Sequence, residues 1–202
     1  MTGSNLDVTL TEALTQLRKA SPKDVSDRAG VEFLAEQGLF RLKYFNSGID
    51  ISYPDGKFIN TELPLIERIL ILHYLVAASG NPIEKDYISF KELPGGEIYN
   101  TPFTNRSIRP FLQLFGSSPE EFRGAATNLG GKPETLGDVS FTFAALPRVP
   151  VTVVLWEGDE EFDASANILF NRSASGYLPT EDFAFLAGLT VSKLKSLAEA
   201  ER

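Results

Sequence analysis

The stretch LPRVPVTVVLWEGDEEFDASANILFNRSASGYLPTED, residues 146–182, decides the fold. It sets two apolar runs, 149–156 and 166–170, on either side of an acidic turn, and it ends where a helix begins. Short runs rich in Val, Ile, Leu and aromatic residues read as strands. Pro150 lacks an N–H for the ladder, so it places the first run at an edge or a strand start. Just upstream, residues 138–145 form another strand-like run, broken from the next by Leu146-Pro147-Arg148-Val149-Pro150. Downstream, apolar residues at 183, 186, 189, 191, 194 and 197 predict a closing amphipathic helix over 180–199.

Toward the N-terminus the pattern changes. Apolar residues at 10, 13, 14 and 17 have helical spacing. Ser21-Pro22-Lys23-Asp24 restarts a helix, with Ser21 as cap, Pro22 in the first helical position and Asp24 facing the positive end of the dipole. Residues 31–37 are expected to be helical up to Gly38, so this region reads as a helical lid. Residues 39–45 and 49–53 then read as strands of an antiparallel meander, with turns at Asn46-Ser47-Gly48 and, more strongly, Asp55-Gly56. A helix is predicted over residues 61–79, capped by Thr61 and stopped by Gly80-Asn81-Pro82; apolar nearly all round from Leu65 to Ala78, it is expected to be the central buried helix. Residues 87–90 suit a short strand before the Pro94-Gly95-Gly96 turn. A helix is expected over 105–115 despite Pro110, and another after a Ser118-Pro119-Glu120-Glu121 capping box, ending at Gly130-Gly131. Strands and helices come in blocks, which favours α+β over a doubly wound sheet. The expected architecture is one α+β domain spanning 1–202, with an antiparallel sheet packed on the 65–79 helix and helices at both ends. Residues 1–14 are expected to be poorly ordered.

The composition narrows the function. The chain has 202 residues, 43% of them hydrophobic and 15 of them Phe, which suffices for a core. A net charge of −8 argues against nucleic acid, whose phosphates demand a concentrated Lys/Arg surface. The absence of cysteine excludes disulfides, thiolate metal sites and a cysteine nucleophile. No run approaches the length of a bilayer span, and no secretion signal opens the chain. The expectation is a cytoplasmic protein that engages neither membrane nor nucleic acid.

Five carboxylates stand within residues 157–163, and Asp159, Glu160 and Glu161, with Glu181, are the candidates for holding Mg²⁺ or Mn²⁺. Their spacing departs from the calcium loop, and the ordinary alternative is a hairpin turn between Trp156 and Ala166 whose charges are solvated, with Gly158 supplying the unusual backbone angles. His73 is the single histidine and falls on one helical face with residues 66, 69, 70 and 77. It is either a hydrogen-bonded core histidine, an axial ligand to a tetrapyrrole metal, or a general base. No Gly-x-Ser-x-Gly elbow accompanies it, and neither glycine-bearing turn has nucleotide-loop spacing. The small residues 173–176 after Arg172 suit an anion at a helix start, or an ordinary loop.

Four phrases together, ILHYL (71–75), ISFKELPGGEIY (88–99), LPRVPVTVVLWEGDEEFDASANILFNRSA (146–174) and YLPTED (177–182), resemble an uncharacterised prokaryotic family, DUF3786. The resemblance spans about residues 15–198. It implies no established activity. Family members are often joined to a cysteine-rich iron–sulfur segment, which points to low-potential redox and corrinoid-using metabolism in anaerobes. Where relatives tend to read LFD, this chain reads Leu169-Phe170-Asn171. The function expected on these grounds is a non-catalytic binding or accessory module for a corrinoid or haem-type tetrapyrrole. His73, Trp156, Phe170 and Tyr177 would line its pocket, Arg172 would meet an anionic side group, and a redox or methyl-transfer protein would be its partner. The alternatives are a divalent-metal enzyme built on Asp159, Glu160 and Glu161, and a protein–protein adaptor for a redox partner.

Overall fold

The computed structural model describes residues 3–200, which fall into two compact units of an α+β protein with two antiparallel sheets. The first unit comprises residues up to Pro82 together with the short segments Leu146–Arg148 and Gly176–Leu178. The second holds the remainder.

In the first unit, α1 (Gly3–Lys19) is followed by α2 (Pro22–Ala29). Residues 3–14, expected to lack order, are instead the first turns of α1. Met1 and Thr2 lie outside the described residues. The cap of α2 forms as the sequence implies: Ser21 Oγ accepts the Asp24 N–H at 3.4 Å, with Pro22 opening the helix. The helix expected over 31–37 is a strand instead, β1 (Glu32–Leu34). Gly30, at φ +64, ends α2 in the left-handed conformation, and the chain leaves it extended. β1 then pairs antiparallel with β2 (Leu39–Tyr44), which packs Phe33 against Phe40 with ring centroids 5.0 Å apart. Cross-strand aromatic packing here outweighs a weak helical propensity.

β2 and β3 (Ser47–Ser52) form the expected meander, completed by β4 (Phe58–Ile59). Two residues, Phe45 and Asn46, make the β2–β3 turn, and Phe45 adopts φ +50. That conformation costs a side-chain-bearing residue about 1–2 kcal/mol. Burial of the ring, 5% exposed against Tyr44, returns about as much or more. Gly56, at φ +67, takes the second turn, and a Cβ there would strike Leu14 of α1. α3 (Leu65–Ala77) is buried along most of its length and packs on α1, whose Ala13 and Leu17 are also buried. Its first turn has Pro64, not Thr61, in the cap position.

The second unit begins with β5 (Tyr87–Ser89) and a 3₁₀ turn in which Glu92 accepts the Ser89 N–H at 2.7 Å. α4 (Gly96–Arg106) was not foreseen. It starts after Gly95, at φ +73, and carries Pro102 inside it. Ser107 leaves helical geometry, so α5 (Ile108–Phe115) is a separate helix with Pro110 in its first turn. α6 (Pro119–Asn128) starts where expected, but Ser118 makes no side-chain cap bond. The sheet runs β5–β9–β8–β7–β6, with β6 (Lys132–Pro133), β7 (Val139–Leu146), β8 (Val149–Trp156) and β9 (Ser165–Asn171). β8 is buried from Val151 to Leu155, which explains its nearly continuous apolar run, interrupted only by the buried Thr152. α7 (Thr180–Ala200) packs against α4 and α6. Gly188 lets the Arg106 backbone approach, and the Arg106 guanidinium lies 4.5 Å from the Phe185 ring centroid.

Candidate functional site

The acidic turn between β8 and β9 is shaped by its own backbone. Asp159 Oδ1 accepts the N–H groups of Glu161 and Phe162, both at 2.8 Å, and the Asp159 N–H donates to the Phe162 carbonyl at 2.9 Å. Those two backbone donors hold the Asp159 carboxyl below its ordinary range. Gly158 is required because a Cβ would sit 2.7 Å from the Ala164 backbone nitrogen. At the turn's start, Asp138 Oδ2 accepts the Glu157 N–H at 2.8 Å, and Asp138 N–H returns a bond to the Leu155 carbonyl at 3.0 Å.

This closed turn pushes side chains outward. Glu157, Asp159, Glu160, Glu161 and Asp163 are all exposed. Phe162 is 71% exposed and Trp156 41%, a large apolar outlay for one turn. Beside it runs an open groove of about 370 Å³, with Leu112, Gly116 and Ser117 on one wall and Asp159, Phe162 and Ala164 on the other. The turn therefore presents aromatic rings within a strongly negative rim. It does not gather metal ligands: among the described residues, no three His, Asp or Glu side chains are placed to hold an ion. The Asp159, Glu160 and Glu161 reading finds no converging geometry to rest on.

The residues expected to line a tetrapyrrole pocket fall in different surroundings. Phe170 is fully buried, with its ring against Phe183 at 4.9 Å and Phe90 at 6.5 Å. It pairs with Val151, five residues along β8 from Trp156. That is about 17 Å at about 3.4 Å per residue, and an odd offset puts the two rings on opposite faces of the sheet. Arg172 is exposed and lies 3.8 Å from the Asp86 carboxylate. Tyr177 is fully buried in the first unit, stacked on Tyr74 at 6.1 Å, with its hydroxyl donating to the Asn81 carbonyl. His73, on α3, is half-buried and engaged in contacts of its own. Phe170 and Tyr177 fill cores, so they leave no surface for a macrocycle. The 173–176 segment is likewise held by internal bonds: Ser173 Oγ accepts the Glu84 N–H at 3.2 Å, and the Gly176 carbonyl accepts the Ser79 N–H at 2.8 Å.

Sequence reading located the acidic turn but missed that Phe162 stands out from it. A Phe inside a run of five carboxylates is the signal that could have been read, because a core ring is rarely placed there. The chain belongs to the family described as a domain of unknown function (DUF3786), whose model matches residues 21–193. No curated protein and no solved structure matches it. Among the described residues no helix is long and apolar enough to cross a membrane.

Proposed function

We propose that the chain is a non-catalytic protein-binding module whose docking surface is the Trp156–Phe162 rim and the groove beside it. The observation that carries this reading is an exposed Phe and a half-exposed Trp set among five carboxylates on one backbone-fixed turn. Exposed aromatic rings supply contact area at small entropic cost, and surrounding charges select and steer the partner. The complementary partner is a basic segment with apolar side chains, which answers the adaptor expectation better than the cofactor one. A haem-type ligand would bring acidic side groups toward an acidic rim. The proposed setting is the cytoplasm, in keeping with a chain without cysteine.

Trp156 is the single tryptophan, so its emission reports directly on the rim. Titration with a synthetic peptide of alternating Lys and Leu should change that emission saturably. The effect should weaken with added salt and fall away in Phe162→Ser. An acidic peptide of the same length should do nothing. An unchanged response in Phe162→Ser, or no response at all, refutes the proposal. Parallel absorbance titrations with cobalamin and haem complete the comparison: a saturable spectral shift there, with a silent peptide arm, replaces it with the cofactor reading.

A further inference from the structure

The first unit holds a second concavity, of about 510 Å³, between the β3–β4 turn and the start of α3. Lys57, Phe58, Thr61, Glu62, Leu63 and Arg68 line it. Its charge runs against that of the chain: two cations face one carboxylate, in a protein of net charge −8. Among the described residues neither Lys57 nor Arg68 forms an ion pair. Such cations ordinarily find surface carboxylates in so acidic a chain.

Arg68 is the more unusual of the two. It interrupts the apolar sequence of α3, and its guanidinium is held 5.6 Å from the Phe58 ring centroid. Its Nε is shielded from solvent and has no hydrogen-bond acceptor. An unsatisfied buried donor of this kind is destabilising, more so when charged, and an acceptor oxygen seated in the groove would relieve it. The Lys57 position is fixed from behind, because its N–H donates to Ser52 Oγ at 3.0 Å and its carbonyl accepts the Ser52 N–H at 2.9 Å.

We infer that this groove binds a phosphorylated small molecule, with Lys57, Thr61 and Arg68 on the phosphate and Phe58 and Leu63 against the organic part. Three donors of different kinds match the three terminal oxygens of a phosphate monoester, and the guanidinium fork suits that geometry. The volume lies within the about 300–1,000 Å³ of small-molecule sites, which leaves room for an organic body beside the phosphate. Glu62 stands at the same lining and disfavours a second anionic group, so the ligand carries its charge at one end.

The test uses the full chain and the Nε–Hε resonance of Arg68 in nitrogen-15 NMR spectra. Phenyl phosphate should shift that resonance saturably, inorganic phosphate should do so more weakly, and benzyl alcohol should leave it in place. Lys57→Gln, at an exposed position where folding is not at stake, should weaken phenyl phosphate binding by about fivefold or more. Arg68→Gln should abolish it. If Arg68→Gln fails to fold, the Lys57 variant decides the matter alone. A resonance unmoved by phenyl phosphate, unaltered affinity in Lys57→Gln, or tighter binding of benzoate than of phenyl phosphate overturns the inference. The rim at Trp156 takes no part in any of these readouts.

Discussion

Replacing Phe170 with Ala separates a ring that fills a core from one that lines a ligand pocket. Phe170 is fully buried and meets Phe183 at 4.9 Å edge-on and Phe90 at 6.5 Å. Truncating a buried Phe costs about 3–5 kcal/mol, the sum of lost transfer energy and the cavity left behind. Each well-placed aromatic pair contributes about 0.5–1.5 kcal/mol beyond area. With two such pairs lost, the middle of that range, about 4 kcal/mol, is the expected penalty. At a urea slope of about 2 kcal/mol/M, this lowers the unfolding midpoint by about 2 M with the slope unchanged. Trp156 sits in the same sheet and reports the transition of this unit by its fluorescence. Phe170→Leu, which keeps most of the volume, should lose less than about 1.5 kcal/mol. A loss below about 1 kcal/mol for Phe170→Ala would refute the reasoning, because a pocket-lining ring with solvent behind it leaves no such cavity.

Three further outcomes follow from the geometry. Gly137→Ala forces a Cβ into φ +57 and within 2.8 Å of the Leu155 carbonyl oxygen. It should cost about 1–2 kcal/mol and shift the emission of Trp156, whose ring edge lies 3.2 Å from the same Cβ position. Asp50 should titrate below its ordinary 3.8 because the Arg41 guanidinium bonds it at 2.8 and 2.9 Å. A depressed value contributes stability that is fully present above the unfolded pKa and is lost as pH falls through the folded one. Carboxyl NMR should therefore show Asp50 returning to the ordinary range in Arg41→Gln, and the two proteins should converge in stability in strong acid. The phenols of Tyr44 and Tyr74 are held above their ordinary 10.0, chiefly by burial, with Glu67 adding to the effect at Tyr44. Alkaline difference spectra should find both still protonated well above pH 10, with stability declining as pH rises past that value.

The long strands of the larger sheet were legible because they carry their pattern in largely apolar runs, as β8 does from Val151 to Leu155 around the buried Thr152, whereas the two-residue β6 had no such run to show. α2 was legible through Ser21 and Pro22, which act locally. β1 was not, since its pairing with β2 is decided by ring contacts to Phe40 and Tyr53, and Tyr53 is distant along the chain. α4 escaped notice because Gly96, Thr101 and Pro102 argue locally against a helix, and its support comes from packing on α7. At the candidate site, charge was visible in the sequence while exposure was not. The same letter, Phe, is solvent-facing at 162, on a turn closed by the backbone bonds of Asp159, and fully buried at 170, against Phe90 and Phe183. Lys57 and Arg68 lie eleven residues apart and share no motif, so their meeting is a product of the tertiary fold.

The hydroxyl of Tyr74 donates to the Ala29 carbonyl and receives the Arg148 N–H at 3.1 Å, while Tyr177 lays its ring on the same side chain and bonds to Asn81. The first unit is thus sealed by residues that emerge from the ribosome long after its own helices and strands are complete. During synthesis, the Tyr74 hydroxyl lacks its second partner until the chain has grown past Arg148, and its ring lacks its stacking neighbour until Tyr177 has followed. A fragment cut after Pro82 carries neither Arg148 nor Tyr177, and so leaves that hydroxyl without its donor and that ring without its neighbour.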